Sequence, residues 1–340
     1  MTIPYVMRPA RLDDFESLMI LAEESGPGFT SLPVHERILR ERLEKSEKSF
    51  AGDLDQPQYG KYLMMMVNDE TGEVGGCSAV KAGVGIDQPF FNYRVITLAQ
   101  ASQAANRRHD MDALVLTNEF VGYTEVGTLF LRQAHRGGGA GRLAAQSRYL
   151  FMASNPDRFG DMVLAELRGV VDAQGGTPFW EAIGRHFFQM EFTEADILSA
   201  TTDNQFILDL MPKYPIYVDL LPPEAREVIG RCHADGVGAL KLLEWEGFRF
   251  ERTVDIFDGG PLVAAPRKLI RTIRESRVVT LREGEASGET GLVSNDHFND
   301  IRISLIEGES RGENEFVTSG AVLDRLRLKP GDTARLWLRS

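Results

Sequence analysis

The stretch Thr128–Arg142, TLFLRQAHRGGGAGR, constrains the fold more than any other part of this 340-residue chain. A strand-like apolar run ends at Leu131, and small residues follow at Gly137, Gly138, Gly139, Ala140 and Gly141. A helix then begins near Ala140, with Leu143, Ser147, Leu150 and Ser154 on one face. A strand–turn–helix of this kind leaves main-chain N–H groups pointing out of the turn at the positive end of a helix, a seat suited to a diphosphate. From Val126 to Pro156 there is no Asp or Glu, while Arg132, Arg136, Arg142 and Arg148 all fall inside. With 50 acids in 340 residues, a preselected 31-residue span would be empty by chance only about one time in a hundred. An anion site is expected here, with His135 as a further phosphate contact. No Gly-Lys-Ser/Thr follows, so the turn is not a nucleotide P-loop, and no βαβ unit surrounds it as a dinucleotide fold requires.

The rest of the chain gives a mixed α/β order. Residues 3–10 read as a strand and 13–24 as an amphipathic helix, followed by a turn-rich loop (Gly26–Pro33) and a second helix through Val34, Ile38, Leu39 and Leu43. Tyr62–Val67 and Val74–Ala82 flank Asp69-Glu70-Thr71-Gly72, good hairpin chemistry. Then come the strand Thr128–Leu131, the helix from Ala140, a strand at Asp161–Leu167 and a helical Phe179–Phe187. An early antiparallel hairpin excludes a doubly wound repeat. Phe179–Phe188 resembles Leu242–Phe250, each an apolar helix end meeting a glycine and an aromatic strand start, which raises an internal repeat. From Pro261 onward, short strands separated by Gly, Glu and Ser point to a β-rich unit. The expected division is 1–195, 196–262 and 263–340.

Composition narrows the function. A formal charge of −12 opposes nucleic acid and anionic membrane, 43% apolar content supplies buried cores, and no apolar run is long enough to span a bilayer. Met1–Tyr5 lacks the basic and apolar regions of a signal peptide, and Cys77 and Cys232 are too few for a disulfide scaffold, so the cytoplasm is the expected setting. No His/Cys/Asp cluster has metal-ligand spacing, and no metal is expected.

Arg136-x-x-Gly139-x-Gly141 after a strand fits the pyrophosphate motif of Gcn5-related N-acyltransferases. Over residues 6–275 the chain further resembles the bacterial arginine N-succinyltransferase family. That resemblance is carried by Gly28-Phe29-Thr30-Ser31-Leu32-Pro33, Phe91-Asn92-Tyr93-Arg94-Val95, Thr128–Leu131, Ala165–Val170, Leu210–Tyr217 and Asp255–Pro261. It implies a largely antiparallel mixed sheet with flanking helices, and attack of the arginine α-amine on the thioester of succinyl-CoA, a co-substrate rather than a bound cofactor. It also implies an oligomer, homomeric or with a paralogous subunit. Ornithine as preferred amine, or a non-catalytic acyl-CoA-binding subunit, are the alternatives.

The same resemblance makes main-chain groups of Thr128–Leu131 orient the thioester, with Leu129 and Leu131 against succinyl-CoA, and makes His233 the proton donor. Pro222-Pro223-Glu224 and Ala234-Asp235-Gly236 read as a helix start and stop, which would put His233 in the last turn, where the dipole favours imidazolium. Cys232 beside it is not needed as a nucleophile in a direct transfer. A guanidinium calls for a planar carboxylate, with candidates Glu125, Glu166 and Asp258, and the succinyl tail for Arg94, Arg168, Ser31 or Thr30.

Overall fold

The computed structural model describes residues 4–26, 29, 31–172, 176–202 and 204–339. Thr30 lies outside the described residues. The chain opens with β1 (Tyr5–Pro9), α1 (Phe15–Ser25) and α2 (Glu36–Ala51), and continues into β2 (Lys61–Asn68) and β3 (Val74–Lys81), an antiparallel pair as expected. Then follow β4 (Asn92–Ser102), β5 (Arg107–Thr117), β6 (Thr124–Leu131), α3 (Ala140–Ser154) and β7 (Met162–Glu166). Short helices α4 (Pro178–Ala182), α5 (Gly184–Phe188), α6 (Phe192–Thr201) and α7 (Gln205–Leu210) precede β8 (Ile216–Tyr217) and α8 (Pro223–Val228). After these come α9 (Val237–Glu246), β9 (Arg249–Asp255) and β10 (Pro261–Pro266). The chain ends with α10 (Arg271–Glu275), β11 (Arg277–Glu283), β12 (Glu289–Ser294), β13 (Ile303–Arg311), β14 (Glu315–Thr318), α11 (Gly320–Leu326) and β15 (Thr333–Leu338).

The first ten strands lie in the order β1-β2-β3-β6-β7-β10-β9-β4-β5-β8, antiparallel except for the β6–β7 contact. Strands β11–β15 close on themselves, because β12 pairs with both β15 and β13 while β14 joins β11 to β13. The β-rich unit is thus a five-stranded barrel. Its interior holds Leu281, Phe316, Leu326 and Leu336. Strand β13 also pairs with β1, so the barrel docks on the edge of the main sheet. The face of α3 that carries Leu143 and Leu150 packs against strands from both units, with Tyr62, Val163, Ile303 and Trp337 in one core.

Several expectations change. Strands β4 and β5 form a long hairpin that sequence patterning does not disclose, because polar residues occupy both faces toward its tip. The proposed division at 195/196 falls inside α6, whose Phe192 and Ala195 share a core with Tyr93, Trp180 and Val254, and that at 262/263 falls inside β10. The two similar corners also differ. Gly247 ends α9 with φ 103° and leads into β9, whereas Gly184 continues into the helix α5, packed on Trp180 where a Cβ would lie 2.2 Å from the ring. The repeat does not extend to structure.

Candidate active site

Strand β6 carries the local irregularity on which the site depends. Cys77 faces Phe130 and Ala79 faces Gly127, so the single residue Ser78 opposes both Thr128 and Leu129. This is a β-bulge, and Thr128 takes φ 50° to make it. On its other side β6 pairs in parallel with β7 only at Thr124–Val163 and Glu125–Leu164, after which the strands part. Beyond Glu125 the main chain of β6 therefore faces an opening instead of a neighbouring strand. A cavity of about 380 Å³ fills it, lined by Gly127, Thr128, Leu129 and Leu131 on one side and by Glu166, Leu167 and Arg168 on the other.

The glycine turn stands at one end of this opening. Gly137, Gly138 and Gly139 adopt φ 111°, 54° and 99°, values that residues with a Cβ rarely take, which explains three consecutive glycines. Ala140 N–H closes the turn onto the Gly137 carbonyl at 2.9 Å, and Leu143 N–H takes the Gly139 carbonyl at 2.9 Å. Among the described residues no main-chain acceptor takes the N–H groups of Gly138, Gly139, Gly141 or Arg142. These are the free donors of a helix start. Ala140 is fully buried and anchors the first turn, while Arg136, exposed, reaches back to the Leu131 carbonyl at 3.1 Å and lines the cavity mouth.

The four arginines of the acid-free segment have separate fates. Arg132 is neutralised by Glu24 and Glu73, both distant in sequence, at 2.9 and 3.2 Å. Arg142 lies over the Trp245 ring at 5.2 Å. Arg148 is buried in the cavity wall, its Nε on the Ala145 carbonyl of its own helix at 2.9 Å and its Nη1 on the Gly127 carbonyl at 3.4 Å. His135 is not a phosphate contact: its Nδ1 meets the Tyr5 hydroxyl at 2.5 Å and its Nε2 meets Glu73 at 3.1 Å, so both ring nitrogens are occupied.

His233 lines the same cavity from the opposite side, but not from a helix end as expected. Helix α8 stops at Val228, and Gly230, at φ 72°, redirects the chain so that its N–H reaches the Gly259 carbonyl at 2.8 Å. His233 then caps the single turn Ala234–Gly236 that leads into α9. Its Nδ1 accepts the Asp235 N–H at 3.2 Å, and its own N–H donates to the Arg168 carbonyl at 2.7 Å. In the neutral ring the proton therefore sits on Nε2, the nitrogen left for the cavity. His233 therefore stands at the start of a helical turn and not in the last one, so the expected C-terminal dipole does not act on it.

The acidic wall comes from β6, β7 and the β9–β10 turn. Lys81 pairs with Glu125 at 2.7 Å, and Asn92 Nδ2 donates to Glu166 Oε1 at 2.6 Å. Burial, then the nearby Asp255 and Glu125, raises the Glu166 pKa well above the carboxylate range. Asp258 accepts the N–H groups of Gly169 and Gly260 at 2.6 and 2.8 Å, and Asp255 accepts those of Phe257 and Asp258 at 2.7 and 2.9 Å. Burial and the adjacent Asp255 push Asp258 up to about 8. A protonated carboxyl with both oxygens on main-chain donors is a clamp between loops and a poor partner for a guanidinium. The expectation for Asp258 changes accordingly.

The tail candidates change too. Arg94 does not reach the cavity, since it is held by Glu119 at 2.5 Å and by the Glu251 carbonyl at 3.3 Å. Arg168 lines it, yet Asp235 and Asp196 already turn negative charge toward the guanidinium. Ser31 also lines it, and its carbonyl accepts from the half-buried Arg42. Burial pushes the Cys77 thiol up to about 12 and raises that of Cys232, which argues against either as a nucleophile. The site residue that sequence reasoning missed is Arg148, which was visible only as one of several charges in a basic run.

A bulged strand splayed from its parallel neighbour, with a glycine turn and helix N-terminus at one end of the gap, defines the Gcn5-related class of acyl-CoA-dependent N-acyltransferases. Two family models cover most of the chain: "Arginine N-succinyltransferase beta subunit" over residues 5–272 and its "C-terminal domain" over residues 274–337. The arginine N-succinyltransferases of Salmonella paratyphi B and Escherichia fergusonii are each 41% identical over 334 residues, 97% of this chain and 96% of theirs. A solved structure titled as arginine/ornithine succinyltransferase subunit AI from Pseudomonas aeruginosa superposes with a TM-score of 0.91, at 34% identity, over 99% of both chains. The chain belongs to the arginine N-succinyltransferase family.

Proposed function

We propose that the protein transfers the succinyl group of succinyl-CoA to the α-amine of L-arginine, giving N2-succinylarginine and CoA. The observation that carries this reading is that the bulge of β6 and the imidazole of His233 line one cavity. The diphosphate of CoA would lie on the free N–H groups before and within the first turn of α3, with Arg136 beside it. The pantetheine arm would then run between β6 and β7 along Leu131 and Leu129, which brings the thioester carbonyl to the bulge. Main-chain N–H groups there serve as oxyanion donors, in a dry site where such donors count most.

Arginine would enter on the acidic wall. Glu166, whose raised pKa suits a base working near neutrality, takes a proton from the α-ammonium. The amine then forms the C–N bond and the C–S bond breaks. The departing thiolate takes a proton from the His233 imidazolium, which returns to the neutral ring, and the second proton of the ammonium leaves to water. Asn92 fixes one Glu166 oxygen and leaves the other toward the substrate. Glu125, paired with Lys81, supplies negative charge for the amino acid's cationic groups.

Incubation with L-arginine and succinyl-CoA should release one thiol per N2-succinylarginine formed. Silence with arginine, ornithine and other amines alike would remove this reading. Because the Pseudomonas relative's title joins arginine and ornithine, kcat/KM for the two amines should be compared directly. An inactive chain that binds CoA and regains turnover on mixing with a paralogue would be a subunit of a mixed oligomer. Both cysteines are free, in keeping with a cytoplasmic setting, and no helix among the described residues is long and apolar enough to cross a membrane.

A further inference from the structure

We infer that Arg148 is the seat of the distal carboxylate of the acyl group and sets the preference for a dicarboxylic over a monocarboxylic acyl-CoA. The inference rests on the acyl-CoA reading of the cavity.

Arg148 is 3% exposed, in the third turn of α3, and lines the cavity. Of the other buried arginines, Arg302 meets Asp69 at 2.6 Å and Arg267 meets Asp161 at 3.7 Å, while Arg325, remote from the cavity in the terminal unit, donates to the Ser304 hydroxyl at 3.1 Å. Arg148 has no carboxylate within 4.0 Å among the described residues; its hydrogen bonds go to carbonyl oxygens, one of them long at 3.4 Å, and its guanidinium lies 5.8 Å from the centre of the Tyr149 ring. The acid whose charge reaches it is Glu246, whose oxygens already accept from Gln146, Thr272 Oγ1 and Thr272 N–H at 2.6–2.8 Å. A buried guanidinium left this way is costly, and the cost is met when a substrate brings the anion.

Position supports the same assignment. The Gly127 carbonyl that Arg148 approaches is one residue before the bulge at Thr128–Leu129, where the thioester would be oriented. In a succinyl group the second carboxyl carbon lies three bonds, roughly 4 Å, beyond the thioester carbon. Gly127 places no side chain between the two points. A fork of N–H donors matches a carboxylate in two parallel bonds, which an acetyl or butyryl chain cannot use.

The test compares succinyl-CoA with butyryl-CoA, which has the same chain length and no carboxylate, in wild type, Arg148→Met and Arg148→Lys. In Arg148→Met the ratio of kcat/KM for succinyl-CoA over butyryl-CoA should fall at least about 100-fold, with Arg148→Lys between. Affinity for free CoA should stay within about threefold. Removing an uncompensated buried charge should also raise the melting temperature of the ligand-free Arg148→Met protein by a few degrees, whereas a purely structural arginine would lower it. An unchanged ratio, or an equal loss for both acyl groups and for CoA, overturns the assignment. If Arg148→Met does not fold, an unchanged ratio in Arg148→Lys does the same. A wild type that neither binds CoA nor releases thiol would instead overturn the acyl-CoA reading beneath it.

Discussion

On the wall formed by β6, β7 and the β9–β10 turn, buried carboxylates are compensated within the protein: Lys81 pairs with Glu125, Asn92 holds Glu166, and Asp258, its pKa raised to about 8, accepts two main-chain N–H groups. On the wall formed by α3, among the described residues, the helix-start N–H groups have no main-chain acceptor and the Arg148 guanidinium has carbonyl oxygens and the Tyr149 ring but no carboxylate. The acidic wall is finished before substrate arrives, and the basic wall is completed by it. An enzyme that joins a polyanion to a cation gains from this asymmetry. The acidic wall stays in place without a substrate, and the basic wall holds an anion through interactions that the empty protein does not make.

The contrast can be broken at several points. The largest effect is expected at His233, between the walls: His233→Ala should lower kcat about 100- to 1000-fold while the KM for succinyl-CoA stays within about threefold. An unchanged kcat in steady-state assays would refute the proton-donor role. Glu166→Gln should reduce kcat/KM for arginine about 100-fold at neutral pH. Because a base works only when deprotonated, wild-type activity should rise with pH through the raised Glu166 pKa, and the variant's profile should lose that limb. On the basic wall, Gly139→Val places a Cβ at φ 99° and 3.3 Å from Leu305, and should raise the KM for succinyl-CoA about tenfold with kcat little changed.

The smallest effect is on stability. Asp258 is raised in the folded protein to about 8, so between the ordinary carboxylate range and pH 8 the folded state binds more protons than the unfolded state. Stability should be greatest at the acidic end of that window and fall as pH rises, by at most about 1.4 kcal/mol per pH unit. Asp258→Asn should flatten this slope in urea titrations at pH 5.5 and 7.5, although it weakens one of the two main-chain contacts.

Much of this was legible in the residues. The hairpin around Asp69–Gly72, the helices α1 and α2, and the whole β6–turn–α3 unit stand within a few residues of where periodicity and turn chemistry put them. The misreadings share one cause, since each depended on partners remote in sequence. The segment Val126–Pro156 is free of acids along the chain but not in space, because Glu24 and Glu73 reach Arg132. The helix expected to carry His233 ends early because Gly230 is drawn to Gly259 across the fold. The role of Asp258 as a clamp depends on Gly169, which approaches so closely that a Cβ would lie 2.4 Å from the Asp258 carbonyl. Local patterning sees none of these contacts.

Strand β13 completes the terminal barrel and also pairs with β1 at the margin of the main sheet. Without it, the N–H and C=O groups of β1 on that side would stand open as a template for strands of other molecules. The barrel therefore acts as a cover against self-association. Since Leu305 of β13 also lies beneath Gly139, the strand that covers this sheet edge rests against the turn that would grip the CoA diphosphate.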